Sequence, residues 1–233
     1  MKRAINVRCR RKTMAKLIII EGLDGSGKST QTALLESYLE YKNIVFKKIK
    51  LPDYDSPSST LVNMYLDGEF GSNADAVNAY AAGAFYAVDR FASYKLNWGS
   101  DYENGTLILA DRYATSNSIY QMEKLPYDKW DEYLEWSADF EYNKIGIPKP
   151  DLVIFLDMPV EVSQKLMTSR YDGDENKKDV HEANVEFLNK CRKSALYTAQ
   201  KQGWIVIPCS DGENPLSIDE IHNKIISYVK KEL

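Results

Sequence analysis

Between Gly22 and Ser29 the chain reads GLDGSGKS, and Gly22, Gly27, Lys28 and Ser29 fit the spacing G-x-x-x-x-G-K-[ST]. Glycines so spaced let successive backbone N–H groups converge on an anion with no side chain in the way. A lysine directly after them can bridge the β- and γ-phosphates of a nucleoside triphosphate, and the next hydroxyl can ligate Mg²⁺. The surroundings make the pattern specific, because the apolar run KLIIIE precedes it and a helical pattern from Ser29 follows. That helix turns free N–H groups and the positive end of its dipole toward the same phosphates. Gly22, Gly25, Ser26, Gly27, Lys28, Ser29 and Thr30 are therefore the expected donor-phosphate residues, with Lys28 the catalytic cation. Asp24 is the anomaly, an acid inside an anion-binding loop.

Two further clusters carry charge of the right kind. In LILADRYATSNSIYQ, Leu107 to Gln121, an apolar strand delivers Asp111 to its carboxyl end, the edge at which doubly wound sheets bind ligands. Asp111 is placed to hold Mg²⁺ together with Ser29, and the guanidinium fork of Arg112 suits a phosphate or a carboxylate. In YAAGAFYAVDRFASY, Tyr86 and Arg90 stand four residues apart on one helix face, an aromatic plate beside a fork. Such a pair can stack a base and grip its phosphate, and equally can be core and ion pair. Other triphosphate-binding classes lack support. The stretch NKIG from Asn143 misses the aspartate of the guanine clamp N-K-x-D, and no transporter signature of the LSGGQ kind occurs.

The elements that must position these groups follow from the apolar patterning. KLIIIE from Lys16, TLILAD from Thr106, DLVIFLD from Asp151 and WIVIPC from Trp204 are too short for helices and apolar on consecutive positions, as in buried parallel strands. IVFKKIKL from Ile44 alternates more and reads as nearer an edge. Helices are expected over 29–41, 74–97, 128–143, 160–170, 184–202 and 217–231. Strands alternating with helices predict an α/β fold, a doubly wound parallel sheet with right-handed crossovers, in a single domain over residues 16–233. The polar stretch from Ser169 to Glu182 interrupts two helical patterns and reads as a loop.

Bulk properties narrow the classes further. The 233 residues are 44% hydrophobic and 27% charged, ordinary values for a globular chain. A net charge of −4 argues against broad electrostatic binding to nucleic acid, and no apolar run reaches the ~20 residues of a membrane helix. Cys9, Cys191 and Cys209 are far apart and form no metal or redox pair, which suits a reducing, cytoplasmic setting. Residues 1–15 and Lys16 carry seven basic residues and no acid; a disordered tail is expected there, with Met14 an alternative start.

Together the stretches EGLDGSGKSTQ, LPDYDSP, FYAVDRF, DRYATSN, PKPDLVIFLDMPVEV and KDVHE resemble the thymidylate kinase family, in its bacterial-like form with a basic lid, from about Leu17 to the C-terminus. The resemblance implies a P-loop fold with a five-stranded parallel sheet, ATP and Mg²⁺ dependence, phosphorylation of dTMP to dTDP, and a homodimer. It implies that Asp24 meets the deoxyribose 3′-hydroxyl, that Tyr86 stacks on thymine, and that Arg90 and Arg112 hold the acceptor phosphate. Asn117 with Ser116 would face the base edge, and Tyr120 would lie by the sugar 2′ position. Relatives without an arginine in the cradle supply one from a closing lid; here Gly25 and Ser26 leave that duty to residues 169–182, with Arg170 the matching arginine and Lys177, Lys178, Asp179 and Glu182 nearby. Leu51 and Asp53 depart from the phenylalanine and arginine common after the second strand, so either Lys48, Lys50 or Tyr54 compensates for an arginine contact to the acceptor phosphate or affinity for the acceptor is weaker. The competing readings are a kinase for another deoxynucleoside or deoxynucleotide, and a catalytically silent nucleotide-binding regulator.

Overall fold

The computed structural model describes residues 16–71, 76–170 and 185–233. The basic tail over 1–15, Cys9, Lys177, Lys178, Asp179, Glu182 and the Arg170 side chain lie outside the described residues, as does most of the expected lid.

Strands β1 (Leu17–Gly22), β2 (Phe46–Lys50), β3 (Leu107–Asp111), β4 (Leu152–Asp157) and β5 (Ile205–Pro208) form one sheet in the order β2-β3-β1-β4-β5. Every neighbouring pair is parallel. β1 is central, and its unbroken apolar run follows from covering on both faces. Leu17 and Ile19 pack on one side with Ile108, Ala110, Val153 and Phe155. Ile18 and Ile20 pack on the other with Leu107, Leu109, Ile154 and Leu156.

The first face is covered by α5 (Thr115–Tyr120), α8 (Val185–Gln202) and the turn Tyr94–Trp98 that follows α3 (Ala79–Ser93), through Ile119, Leu188, Cys191, Tyr94 and Trp98. The second is covered by α1 (Lys28–Tyr41) and α9 (Ile218–Glu232), through Leu35, Leu39, Ile221, Ile225 and Val229. α9 starts at a capping box in which the Ser217 hydroxyl accepts from the Glu220 N–H and the Glu220 carboxylate accepts from the Ser217 N–H. α7 (Val160–Arg170) and α6 (Trp130–Ala138) complete the long elements.

Three sequence expectations need correction. The helix expected from Ala74 begins at Ala79, because the Asn78 side chain accepts the Ala81 N–H at 2.9 Å and caps it there. The run WIVIPC is not a buried interior strand; β5 is the edge opposite β2, with Ile205 and Val206 half-buried and Pro208 exposed. Short helices α2 (Thr60–Leu66), α4 (Gly99–Glu103) and α5 were not expected at all. Each spans fewer than two turns, too few residues to display a helical period. α3 widens into a π-helical turn at Tyr94–Trp98, and α6 does the same at Asp139–Ile145 before Gly146 ends it.

β1 sits at the middle of both apolar layers, so its side chains carry much of the stability. Ile19→Ala should cost about 2–5 kcal/mol, read as a lower urea midpoint with an unchanged slope.

Candidate active site

β1 feeds a helix on one face of the sheet while the chain leaves β3 for the other side of β1, so the crevice opens at the carboxyl ends of these two strands. The loop after β1 is tight. A Cβ on Gly22 would lie 2.5 Å from Ser26 Oγ and 3.2 Å from the Leu156 carbonyl, so any side chain there would have to displace the loop hydroxyl and crowd β4. Gly27 has open space but φ +86°, which a side chain would strain, and it delivers the chain into α1. Ser26 Oγ is buried with no hydrogen-bond partner among the described residues. Lys28 is buried too, its Nζ 3.3 Å from the Leu23 carbonyl and 3.7 Å from Asp24 Oδ1. An orphaned hydroxyl, a buried ammonium and a helix start converging on one hollow fit a phosphate chain.

On the other side of the crevice, Arg112 adopts φ +68°, rare for a residue with a side chain. Its Nη2 donates to Asp24 Oδ1 at 2.7 Å, its Nη1 to the Tyr120 hydroxyl at 2.9 Å, and the guanidinium lies 4.9 Å from the centre of the Tyr120 ring. Burial acts to lower the Arg112 pKa, but Tyr120, Asp24 and Glu21 raise it further, so the cation is firm. Burial likewise pushes the Tyr120 and Tyr86 phenols up, keeping both neutral. Arg90 is buried, with Nε donating to Glu141 Oε2 at 3.2 Å and Nη2 to Glu141 Oε1. Asn117 Nδ2 shares that carboxylate at 3.2 Å and also donates to the Gly83 carbonyl.

Two cavities result. The first, about 380 Å³ and within the usual ~300–1,000 Å³ of ligand sites, is lined by Tyr54, Tyr86, Arg90, Arg112, Asn117 and Tyr120 among others. The second runs over the loop from Asp24 to Gln31 and is walled by Met158, Leu166, Pro215, Leu216 and Ile218. They meet at Asp24, Lys28 and Ser29, which line both.

A family model described as thymidylate kinase matches residues 20–225. The chain belongs to the thymidylate kinase family. It is 28% identical to the thymidylate kinase of Plasmodium falciparum over 94% of this chain and 92% of that one. To a probable thymidylate kinase of Saccharolobus solfataricus it is 30% identical over 94% of this chain and the whole of the other. A solved thymidylate kinase from Candida albicans, 25% identical, superposes with a TM-score of 0.67 over 94% of each chain. The P-loop fold with five parallel strands agrees with the sequence reading, and phosphorylation of dTMP by ATP is the activity expected of this family.

The residues singled out from sequence fall as follows. Gly25, Ser26, Gly27, Lys28, Ser29 and Thr30 line the second cavity, while Gly22 sits beneath it. Asp111 lines the first, beside Ser29. Ser116 also lines it, yet its hydroxyl proton is committed to Glu21, at 2.8 Å to Oε1 and 3.0 Å to Oε2. Arg90 stands with Asn117 on a shared acid, whereas Arg112 stands with Asp24.

Sequence reasoning missed the acids that hold these groups: Glu21, Glu141 and Asp89. The buried Asp89 accepts from the Asp53 N–H at 3.2 Å and from the Ser58 and Ser59 hydroxyls at 2.6 and 2.7 Å, fixing the loop that carries Tyr54. An acid at the end of the apolar run IIIE was a visible signal for Glu21; Glu141 had none. Tyr65, set edge-on to Tyr86 with centroids 6.4 Å apart, was also missed.

Burial, assisted by Arg112, lowers the Lys28 pKa to about 8, against the raising effect of Asp24, Asp111 and Glu21. A bound triphosphate adds negative charge beside the ammonium and raises that pKa, so binding above this pH must take up a proton. Triphosphate affinity should therefore show no Lys28-linked slope below about pH 8 and fall as pH rises beyond it. Calorimetry in two buffers of different ionisation enthalpy should find proton uptake at about pH 9 and little at about pH 7.

Proposed function

We propose that the second cavity takes ATP, the first takes dTMP, and phosphoryl transfer occurs where the two meet at Asp24, Lys28 and Ser29. The supporting observation is that shared wall: one cavity has a phosphate cradle, the other an aromatic plate and two guanidinium groups. The apolar surface of Met158, Pro215, Leu216 and Ile218 suits the donor base. In the acceptor cavity Tyr86 stacks on thymine, Asn117 and Ser116 line the base end, Asp24 meets the 3′-hydroxyl, and Tyr120 lies against the sugar.

The acceptor phosphate has a second pKa near ~6, so at neutral pH it is already a dianionic nucleophile and needs no base. The protein's task is alignment and charge neutralisation. Lys28 holds the β- and γ-phosphates of the donor. Arg112 holds the acceptor phosphate from its clamp between Asp24 and Tyr120, joined by the N–H groups of Arg90 that Glu141 does not take. The Ser29 hydroxyl and Asp111 would hold Mg²⁺, directly or through water, and the ion would supply further positive charge beside the phosphates.

Lys50 supplies the charge that Asp53 does not. Of the three lysines on β2, Lys47 pairs with Asp101 at 2.6 Å and Lys48 with Glu36 at 2.6 Å. Lys50 lines the acceptor cavity opposite Asp111 in the strand register and makes no ion pair among the described residues. The remaining expectations stand with this reading: a single kinase domain over 16–233, a cytoplasmic location, and no nucleic-acid or membrane partner. No helix of the described residues is long and apolar enough to cross a membrane. A homodimer would cover the exposed Leu61 of α2 and Val88 and Phe91 of α3.

A coupled ADP-release assay with dTMP, dUMP, dCMP, dGMP and thymidine tests the reading. Turnover should be fastest on dTMP; faster turnover on thymidine or dGMP would overturn it. Lys28→Ala should lower kcat by roughly a hundredfold or more, and an unchanged rate would refute the mechanism. Lys50→Ala should raise the KM for dTMP roughly tenfold while leaving that for ATP nearly unchanged.

A further inference from the structure

Glu21 is the one charged residue on β1, it is 0% exposed, and its carboxylate touches neither cavity. An acid there is costly, since burial penalises the charged form and an apolar side chain would pack as well. Every bond it accepts comes from one short stretch across the crevice. Glu21 Oε1 receives the Tyr113 N–H at 3.3 Å, the Thr115 hydroxyl at 2.6 Å and the Ser116 hydroxyl at 2.8 Å, the last also reaching Oε2 at 3.0 Å. That stretch begins immediately after Arg112, whose φ of +68° is the only positive value at a residue with a side chain besides Asn43 among the described residues. A left-handed conformation costs a non-glycine residue about 1–3 kcal/mol and persists only where its surroundings over-determine it.

The surroundings of Arg112 do so from both ends. Its own N–H donates to the Ile20 carbonyl at 3.3 Å, which ties its start to β1. Glu21, the next residue of β1, takes the N–H of Tyr113 and so ties its end. The two anchors sit on adjacent residues of the strand that leads directly into the phosphate loop. With the backbone turned this way the Arg112 guanidinium reaches Asp24 of that loop and Tyr120 of α5 together.

We propose that Glu21 is a positioning residue for phosphoryl transfer: by holding Tyr113, Thr115 and Ser116 it keeps Arg112 in its left-handed conformation and aims the guanidinium at the acceptor phosphate. In this way the aim of that cation depends on the strand that also carries the donor loop. This rests on the assignment of Arg112 to the acceptor phosphate.

The test is a double-mutant cycle on the full-length protein with dTMP and ATP. Glutamine would still offer an oxygen where Oε1 accepts all three bonds, so the change is Glu21→Leu, which keeps roughly the size of the side chain and removes both oxygens. In the presence of Arg112 it should lower kcat/KM for dTMP roughly tenfold, with the KM for ATP changed less than about twofold. In an Arg112→Ala background the same change should cost less than about twofold, because the group it positions is gone. Equal losses in both backgrounds would overturn the proposal and make Glu21 a purely structural residue. Thr115→Val removes one bond and leaves the carboxylate in place, which covers the case in which Glu21→Leu does not fold. It should lower kcat/KM for dTMP about threefold with Arg112 present, and full activity would overturn the proposal. Turnover of dTMP by the unmodified protein, with the loss in Arg112→Ala alone, checks the functional reading separately.

Discussion

A phosphate can be transferred between two polyanions only if enough positive charge is held still between them, and this constraint organises the carboxyl edge of the sheet. Lys28, Arg90 and Arg112 all arrive at one crevice, and each is kept there by an acid: Asp24 near Lys28, Asp24 again on Arg112, Glu141 on Arg90. In a low-dielectric setting an unpaired cation would be expensive and a paired one is fixed in direction. The acids thus decide where the cations point. The phosphates add the charge that the resting protein lacks; without them burial and Arg112 lower the Lys28 pKa to about 8.

The sheet explains how these groups meet. Successive side chains of β1 alternate between its two apolar layers, so the register that buries Leu17 and Ile19 against α5 and α8 also turns Glu21 toward α5. Parallel pairing sets Ile20 level with Asp111, and Asp111 level with Lys50, so the ends of β1, β3 and β2 come to one height. Donor loop, metal-ligand candidate and acceptor cation are therefore neighbours through strand register. The loop from Asp53 to Ser59 has no strand to order it and relies on Asp89 instead.

Much of this was legible in the sequence where local chemistry is sufficient. GLDGSGKS declares an anion site because the glycines and the lysine act through the backbone next to them. The strands β1, β3 and β4 are visible because covering on both faces leaves an unbroken apolar run. β5 misled, since an edge strand backed by helices carries the same residue types as an interior one. Glu21, Asp89 and Glu141 were overlooked because each works on residues distant in the chain; Glu141 lies 51 positions from Arg90 and Glu21 lies 92 from Tyr113. Sequence spacing carries no trace of such pairs. Arg90 shows the same limit, for its place four residues after Tyr86 fixed the helix face but not the acid that would claim two of its donors.

Asp53 and the cradle residues Gly25 and Ser26 then make one argument. An acid stands where the family resemblance implies an arginine, and the cradle contributes no guanidinium of its own. Asp53 is nonetheless used, through its backbone N–H, to close the turn around Asp89, so the loop keeps its shape while giving up a charge. Shape and charge have come apart at this position. The missing charge must come from a neighbour already aimed into the cavity, and Lys50, one register step from Arg112 and without an ion pair among the described residues, is where the fold can supply it. A lysine offers a point charge where an arginine offers a fork. Of the guanidinium groups in the crevice, Arg112 alone is held in a left-handed backbone conformation, so its aim depends most on the bonds around it.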